Sequence, residues 1–378
     1  MLRITNHRRY TANHTWHVDW AGETLFVKAN PHHDEAHAEC AGHARIREFY
    51  PVPRLRRTRR VGPWTVIVYD RWQHLGRDRG LLLDEITRAD LTGDTRRLDV
   101  CLNALLGHYT RVIGQTLRHT NHGDTIGKIY GGRAAPHGRL DQYYRTNAPW
   151  PITAYGAAVR PSDLAGLRLV VNGQEHAVDV ADLTRRLRAQ FVGEAPVWAA
   201  LTQGDPTDLN LGWSPECGPV WFDYDTGGLN ALPGEFACFL LYQRLHGAWL
   251  TPLHHQGAFL DHPSALDPAS LVEPRVHVEY RGSTLVINYR HAPSPARQYV
   301  MRRYLDEVVR PIARELGIAD LMTWLRPYLV MRLLAVYDLS ELEPRDVALS
   351  LALLAQVTDP AAALSDALAL VPSNAEVD

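Results

Sequence analysis

An apolar hairpin in the second half of the chain constrains its fold more than any other feature. Two short apolar stretches, residues 209–213 and 220–224, are separated by residues 215–218, whose proline and glycine are typical of a turn. Strands that are joined by so short a turn pair antiparallel. The pattern therefore predicts that Asn210, near the start of the first strand, lies beside Asp223, near the end of the second.

The residues just before this hairpin add a second acid. Asp205 follows Gln203-Gly204 and precedes Asn210 by five residues. Carboxylate and amide oxygens are the ligands that magnesium prefers. Asp205, Asn210 and Asp223 therefore form a compact set of oxygen atoms, suited to orienting a hydroxyl and to holding magnesium on a nucleotide. An Asp-x4-Asn pair alone is frequent by chance, and the preceding glycine and the strand acid make this one more specific.

This set resembles the catalytic and metal-binding loops of the aminoglycoside phosphotransferase and choline kinase family, whose members have a protein-kinase-like fold. The resemblance implies ATP (or GTP) and Mg²⁺ as cofactors. It implies Asp205 as the catalytic residue that orients the acceptor hydroxyl and accepts its proton, and Asn210 and Asp223 as metal ligands. The family usually has histidine where this chain has Gln203, whose amide still donates a hydrogen bond that shapes the loop.

One of only two lysines in the chain lies where the resemblance places a phosphate-binding lysine. Lys28 ends a predicted strand, and Glu39 lies in the predicted helix that follows, ahead of Val52-Pro53-Arg54-Leu55. In the family, such a glutamate pairs with the lysine and holds the ammonium group against the nucleotide phosphates. Glu35, one helical turn earlier, is the competing partner. The resemblance thus implies that Lys28 and Glu39 bind the cofactor.

The hinge between the two lobes is expected at residues 68–72. In this fold the hinge backbone receives the edge of the adenine, so Tyr69 and Asp70 are implied as cofactor-binding residues. The first strands lack a GxGxxG phosphate loop. Asn13-His14-Thr15, between the first two strands, is expected to cover the phosphates instead.

The order of predicted elements favours an α+β, bilobal, protein-kinase-like fold. A small mixed β-sheet lobe is predicted from a hairpin at 15–28, a helix within 31–50 and a strand at 64–69. Beyond it, helical spacing at 98–117 and from 299 onward indicates a larger, mainly helical lobe that carries hairpin insertions at 167–180 and 276–289. We expect an N-terminal nucleotide-binding lobe with hinge at 1–72 and a C-terminal lobe at 73–378, with an insert at about 120–200.

Two other motifs imitate functional ones. His122-Gly123-Asp124 looks more like the family motif than Gln203-Gly204-Asp205 does, but Ile129 stands where the asparagine should be. The same stretch resembles a phosphate-binding loop around Lys128, yet its glycine spacing is one residue short. Neither motif is expected to be catalytic, and a surface position is favoured for Lys128.

Composition excludes other classes of function. The formal net charge of −2 gives no reason to expect nucleic acid or a membrane as a partner. No apolar run approaches membrane-spanning length. The four cysteines have neither the spacing nor the density of a disulfide framework, which favours free thiols and a cytoplasmic location.

The sequence therefore predicts a small-molecule kinase, a phosphotransferase with an alcohol group as acceptor. The resemblance suggests an antibiotic, an amino alcohol or a sugar-like metabolite. Acids in the C-terminal lobe would suit a cationic acceptor, and the candidate acceptor residues are Asp208, Asp225, Glu235, Tyr242, Trp249 and Tyr328. The alternative is a catalytically inactive nucleotide-binding or scaffold protein on the same fold. A protein kinase is disfavoured because no activation segment follows Asp223.

Overall fold

A five-stranded antiparallel sheet forms the N-terminal part of the molecule. The computed structural model describes residues 2–6, 13–154 and 157–370. The strands of this sheet are β1 (Arg3–Asn6), β2 (His14–Trp20), β3 (Glu23–Asn30), β4 (Leu55–Val61) and β5 (Trp64–Asp70). Their order across the sheet is β1-β2-β3-β5-β4, so β3, which carries Lys28, lies at the centre.

A single helix, α1 (His33–Ile46), packs on this sheet between β3 and β4 in the chain. Its buried residues are Ala36, Glu39, Gly42, His43 and Ile46. Their spacing of three and four residues places them on one face of the helix. Glu39 therefore turns inward, toward the sheet and Lys28.

The rest of the described chain is mainly helical. Its helices are α2 (Leu82–Thr92), α3 (Arg96–Thr116), α4 (Gly131–Ala134), α5 (Arg139–Tyr144), α6 (Val180–Phe191), α7 (Leu232–Leu241), α8 (Thr251–His254), α9 (Pro295–Tyr304), α10 (Arg310–Glu315), α11 (Leu321–Ala335), α12 (Pro344–Thr358) and α13 (Leu364–Ala367). Every residue of α7 is buried, and the helix packs against α11 at the centre of this lobe. None of the helices in the described ranges is both long and apolar enough to cross a membrane.

Short strands are inserted between these helices. They are β6 (Arg118–Asn121), β7 (Thr153–Ala154), β8 (Ala157–Ala158), β9 (Arg168–Val171), β10 (Gln174–His176), β11 (Pro196–Thr202), β12 (Leu211–Ser214), β13 (Gly218–Trp221), β14 (Gly228–Ala231), β15 (Arg275–Arg281) and β16 (Thr284–Arg290). The two predicted hairpin insertions join into one sheet, β10-β9-β16-β15, because β9 and β16 pair in parallel.

The predicted fold class is confirmed: a small sheet with one helix is followed by a larger helical lobe that carries hairpins. The segment 71–81, which joins β5 to α2, connects the two parts. We retain the division into residues 1–72 and 73–378, with an insert at about 120–200, as a proposal. The β12–β13 hairpin pairs Leu211 with Trp221 and Ser214 with Gly218, so the turn is at 215–217, within the predicted range, and Asn210 and Asp223 lie just outside the strands predicted to contain them.

Candidate active site

A cleft of about 390 Å³ lies between the five-stranded sheet and the helical lobe. Both lobes contribute to it, the sheet through β3 and β5 and the helical lobe through the loops that flank the β12–β13 hairpin. The structure brings all seven predicted site residues to this cleft: Lys28, Glu39, Tyr69, Asp70, Asp205, Asn210 and Asp223.

Lys28 and Glu39 form a buried ion pair, with 2.5 Å between Nζ and Oε2. The Tyr69 hydroxyl donates to the other carboxylate oxygen of Glu39 at 3.0 Å. Glu35, the competing partner, instead accepts a hydrogen bond from the Asn30 side chain at 3.3 Å. Burial opposes the charge on Lys28, but the nearby carboxylates outweigh it and raise the pKa of this lysine. The ammonium group therefore stays charged at physiological pH.

Asp223 completes this group from the other lobe. Its Oδ1 is 3.2 Å from Nζ of Lys28, and its side chain is 47% exposed to the cleft. The backbone of Asp223 has φ of +57°, in the left-handed region where aspartate is tolerated better than most residues. Such conformations cluster at functional sites. The chain turns at Asp223, two residues after the end of β13, and this turn places the carboxylate beside Lys28.

A glycine brings α1 into direct contact with the loop that follows Asp223. A Cβ atom added to Gly42 would lie only 1.7 Å from the carbonyl oxygen of Tyr224. Real Cβ atoms do not approach so closely, so no other residue fits here without moving the helix. Because Glu39 is one turn before Gly42 on the same helix, this contact fixes the glutamate relative to Asp223.

Gln203 joins the Asp205 loop to Asp223. Its Oε1 accepts a hydrogen bond from the backbone N–H of Asp205 at 2.8 Å. Its Nε2 donates to the carbonyl oxygens of Phe222, at 3.0 Å, and of Asp223, at 2.5 Å. The side chain is fully buried. The sequence predicted a loop-shaping hydrogen bond here, but not that one amide would hold both acids of the site.

Gly204 and Asn210 set the shape of the loop around Asp205. Gly204 has φ of +91°, and an added Cβ would lie 2.5 Å from the carbonyl oxygen of Thr226. Nδ2 of Asn210 donates to the backbone carbonyl of Asp205 at 3.0 Å. The amide is thereby oriented so that Oδ1 is the atom available to a cation in the cleft.

The donor set suits magnesium held on a nucleotide. Asn210 and Asp223 could supply two oxygen ligands, and magnesium in nucleotide sites takes its remaining ligands from phosphates and water. Within the described residues, no group of three or more His, Cys, Asp or Glu side chains is arranged to hold a metal by itself.

Two backbone N–H groups of the expected hinge already form hydrogen bonds within the protein. The N–H of Asp70 donates to the carbonyl of Arg54 at 2.9 Å, and the N–H of Arg71 donates to the carbonyl of Thr24 at 3.0 Å. The Asp70 carboxylate accepts from Nε of Arg56 at 2.5 Å. These bonds leave neither N–H group available to an adenine, and the Asp70 side chain binds Arg56 at the edge of the sheet.

Asp205 has two neighbours that the sequence did not indicate. Its Oδ1 accepts a hydrogen bond from the Cys238 thiol at 3.1 Å and lies 3.5 Å from Nη1 of Arg332. Arg332 comes from α11 and is almost fully buried. No motif surrounds either residue, and a charged side chain within the largely apolar helix 321–335, a feature that Arg332 shares with Arg326, is the signal that could have indicated it.

Arginine side chains line the cleft beyond Asp205. We call this part the arginine end; it is lined by Arg133, Arg139, His246, Thr251, Arg332 and Tyr337. The Arg139 guanidinium donates to the carbonyls of Ala335 and Val336 at 3.3 and 3.2 Å, which anchors it to the end of α11. Burial, together with the nearby arginines, lowers the pKa of His246 well below its usual range, so this imidazole is neutral.

The expectation that acids of this lobe face the acceptor was wrong. Asp208 is buried in an ion pair with Arg297, with 2.7 Å between Oδ2 and Nη1. Asp225 pairs with Lys128. Burial and the charge of the neighbouring Asp223 raise the pKa of Asp225 to about 6. Neither Asp208 nor Asp225 lines the cleft, because each carboxylate forms an ion pair within the helical lobe.

Glu235 is buried behind the Asp205 loop and accepts hydrogen bonds from it and from the strand before it. It accepts hydrogen bonds from the hydroxyls of Thr202, at 2.7 Å, and Tyr109, at 3.2 Å. It also accepts from the backbone of Gly204, within the loop itself, and burial raises its pKa to about 7. Glu235 therefore acts on the shape of the loop and does not line the cleft.

Of the three aromatic acceptor candidates, only Tyr242 lines the cleft. Trp249 donates to the buried Asp346 at 2.8 Å, and the Tyr328 hydroxyl lies 3.0 Å from Nε2 of His122. The imitating motif at 122–124 is thus structural, with Asp124 accepting from the Thr120 hydroxyl at 2.6 Å. In the N-terminal lobe, Asn13 and Thr15 line the cleft at the position expected to cover phosphates.

The hydrogen bonds of Gln203 lead to a first prediction. Gln203→Leu removes three bonds that align Asp205 with Asp223, and misplacing a reacting group by about 1 Å costs on the order of 100-fold in rate. We expect turnover to fall in the order wild type, Gln203→His, Gln203→Leu, because histidine keeps one acceptor and one donor. Steady-state kinetics would measure it. Equal turnover in all three proteins would show that the amide does not align the site.

Comparisons with known proteins give matches to solved structures alone: no family model and no curated protein matches. Aminoglycoside phosphotransferase APH(4)-Ia is 11% identical, with a TM-score of 0.49 over 92% of this chain and 90% of that chain. APH(3'')-Id from Streptomyces rimosus is 13% identical, with a TM-score of 0.43 over 89% and 92%. A glucosamine kinase is 14% identical, with a TM-score of 0.42 over 92% and 73%. Neither the fold described above nor the interpretation of the site rests on these similarities.

Proposed function

We propose that this chain is a kinase that transfers the γ-phosphate of ATP or GTP to a hydroxyl group of a small molecule. One observation carries the proposal: Gln203 bonds the Asp205 loop to Asp223, and Asp223 in turn contacts the Lys28–Glu39 pair. Phosphoryl transfer needs a base, metal ligands and a phosphate-binding cation held in one geometry. These contacts hold the three together.

Each side chain has a role in this proposal. Lys28 binds the nucleotide phosphates, and Glu39 keeps its ammonium group in place. Asn210 and Asp223 hold Mg²⁺, which neutralises charge on the phosphates when it is bound. Asp205 orients the acceptor hydroxyl and takes its proton. Since Oδ1 of Asp205 already accepts from Cys238, Oδ2 is the oxygen that would receive this proton.

The test is a magnesium-dependent turnover assay across a library of hydroxyl compounds, with nucleotide binding measured separately. Transfer of phosphate to any small hydroxyl compound at enzymatic rates would support the proposal. The alternative, an inactive nucleotide-binding protein on this fold, predicts binding of the nucleotide with no transfer to any acceptor. That result would overturn the kinase assignment.

Asp223→Asn should weaken binding of the magnesium–nucleotide complex itself. The variant loses a charged metal ligand and one of the two carboxylates around Lys28, so we expect the affinity to fall by at least about 10–100-fold, the range seen when metal-site partners are lost. Calorimetric titration of the nucleotide with and without Mg²⁺ separates the loss of metal binding from the loss of nucleotide binding. Asp124→Asn, which changes a carboxylate outside the cleft lining, is the control. Equal affinity in wild type and Asp223→Asn would remove Asp223 from the metal site.

A further inference from the structure

The arginine end of the cleft carries more positive charge than its own residues neutralise. Among the described residues that line this end, Arg133, Arg139 and Arg332 are positive, and the adjoining Asp205 is the one acid. That acid is 3.5 Å from Arg332 and 36% exposed. His246 adds no charge, because burial lowers its pKa well below the usual range. A molecule that presents its hydroxyl to Asp205 therefore meets a cationic surface behind it.

Two of these arginines have buried nitrogen atoms that form no hydrogen bond with any described residue. These are Nη1 of Arg133 and Nε of Arg332, and Nη1 of Arg332 has only its 3.5 Å ion-pair contact with Asp205 within the described part of the chain. Arg332 is only 3% exposed. Buried guanidinium groups without partners are costly, and two that lie close together repel each other. Burial, and to a smaller extent the charges of Arg332 and Arg139, lowers the pKa of Arg133 to about 9, while Asp205 acts in the opposite direction.

A bound oxyanion would accept hydrogen bonds from these nitrogen atoms and would reduce the repulsion between the two guanidinium groups. Carboxylate and phosphate groups accept paired, charge-assisted hydrogen bonds from guanidinium groups better than any other ligand. The alternative task for these arginines, binding the nucleotide phosphates, fits the geometry less well. Lys28 of the sheet contacts Asp223, whereas Arg332 of α11 contacts Asp205, and the charges of Arg133 and Arg332 both act on His246.

We propose that the acceptor is a small hydroxyl compound bearing a carboxylate or phosphate group, and that Arg133 and Arg332 bind this anion while the hydroxyl faces Asp205. The inference rests on the proposed kinase function and names the acceptor class of the same site. Arg332 is 3.5 Å from Asp205, so the hydroxyl and the oxyanion would bind to adjacent side chains of the cleft. The acceptor is therefore compact, and a polycationic acceptor would face like charges.

Oxyanion binding can be tested without any phosphate transfer. The chain, loaded with Mg²⁺ and a non-hydrolysable ATP analogue, is titrated with sulfate and with glycerol 3-phosphate, and glycerol is the uncharged control. We expect saturable binding of both anions and none of glycerol. Arg133→Gln and Arg332→Gln should each bind the anions about 30-fold more weakly or worse. Arg310→Gln, at a half-exposed surface arginine paired with Asp306, should bind them like wild type.

The choice of variants separates a loss of anion binding from a failure to fold. Arg332→Gln removes a buried charge next to Asp205 and can fail to fold. Arg133→Gln instead relieves repulsion between guanidinium groups, so its thermal unfolding midpoint should equal or exceed that of wild type. Weaker anion binding by a protein at least as stable as wild type is a result that a purely structural role for Arg133 does not produce.

Turnover with matched acceptors completes the test. Hydroxyl compounds in three charge classes, such as glycerate or glycerol 3-phosphate, glycerol, and 2-aminoethanol, should give the highest kcat/KM in the anionic class, with that preference lost in Arg133→Gln. Absence of saturable anion binding, or unchanged binding in Arg133→Gln, overturns the anion site whatever the turnover. Equal or better transfer to cationic compounds also overturns it and leaves the kinase standing. Anion binding with no transfer to any acceptor supports the anion site and removes the proposed function.

Discussion

Asp205→Asn should lower kcat by about 10²–10⁴-fold while the affinity for magnesium–nucleotide stays close to that of wild type. Asparagine has nearly the same shape and can still contact Arg332, but it cannot accept the proton of the acceptor hydroxyl. The nucleotide contacts made by Lys28 and Asp223 do not involve the Asp205 side chain. Turnover and nucleotide affinity therefore separate in this variant, and single-turnover kinetics together with calorimetry measure the two quantities.

The chain supplies its own control for this experiment. Asp124 stands in the same His/Gln-Gly-Asp context, yet its carboxylate caps a short turn by accepting from the Thr120 hydroxyl. Asp124→Asn should leave kcat unchanged. If Asp205→Asn kept wild-type turnover, or if both substitutions lowered kcat equally, Asp205 would not be the base. Loss of nucleotide affinity in Asp205→Asn would indicate instead that the loop had collapsed.

Lys28→Met should lower the free energy of unfolding by about 3–5 kcal/mol at neutral pH, because it leaves a carboxylate buried without its cation. Glu39 is 3% exposed in the pair and has one other side-chain donor, the Tyr69 hydroxyl. Glu39→Gln added to Lys28→Met removes the unpaired charge. We expect this double variant to recover most of the stability and none of the turnover. Urea denaturation and the phosphate-transfer assay measure the two outcomes.

The loss in Lys28→Met should also depend on pH. Burial already raises the pKa of Glu39 above that of the unfolded chain, with Lys28 acting in the opposite direction. Without Lys28 the folded-state pKa rises further. Below the unfolded pKa the carboxyl is neutral in both states and costs nothing extra, and the penalty grows as the pH rises through the folded pKa. Lys28→Met should therefore approach wild-type stability in acid and diverge from it in alkali. A loss independent of pH, or no rescue by Glu39→Gln, would exclude the buried carboxylate as its cause.

The sequence predicted the parts of the site that local rules determine. The turn at 215–218 fixes the register of β12 and β13, so the neighbourhood of Asn210 and Asp223 followed from spacing alone. The pairing of Glu39 with Lys28 was implied by the resemblance, and Glu39 lies on the buried face of α1. The small sheet and the larger helical lobe could likewise be predicted from the order of strand and helix patterns.

What the sequence could not predict depends on contacts between residues that are distant in the chain. Arg133 and Arg332 come from α4 and α11, and no spacing rule connects them. Two of the acids predicted near the acceptor form ion pairs with Arg297 and Lys128 instead, and these pairings can be seen only in the folded structure. The parallel pairing of β9 with β16 joins two hairpins that each look complete in sequence.

The contact between Gly42 and the carbonyl of Tyr224 bears on regulation. Kinases that are switched by other proteins commonly move the glutamate-bearing helix away from the lysine and back again. Here that helix rests on the backbone of the loop that carries Asp223, with no space for a single added methyl group between them. The assembled Lys28–Glu39 pair is therefore part of this packing. If the chain is the proposed kinase, we expect its regulation to act through the supply of acceptor and nucleotide, because displacing α1 would also require moving the loop that carries Asp223.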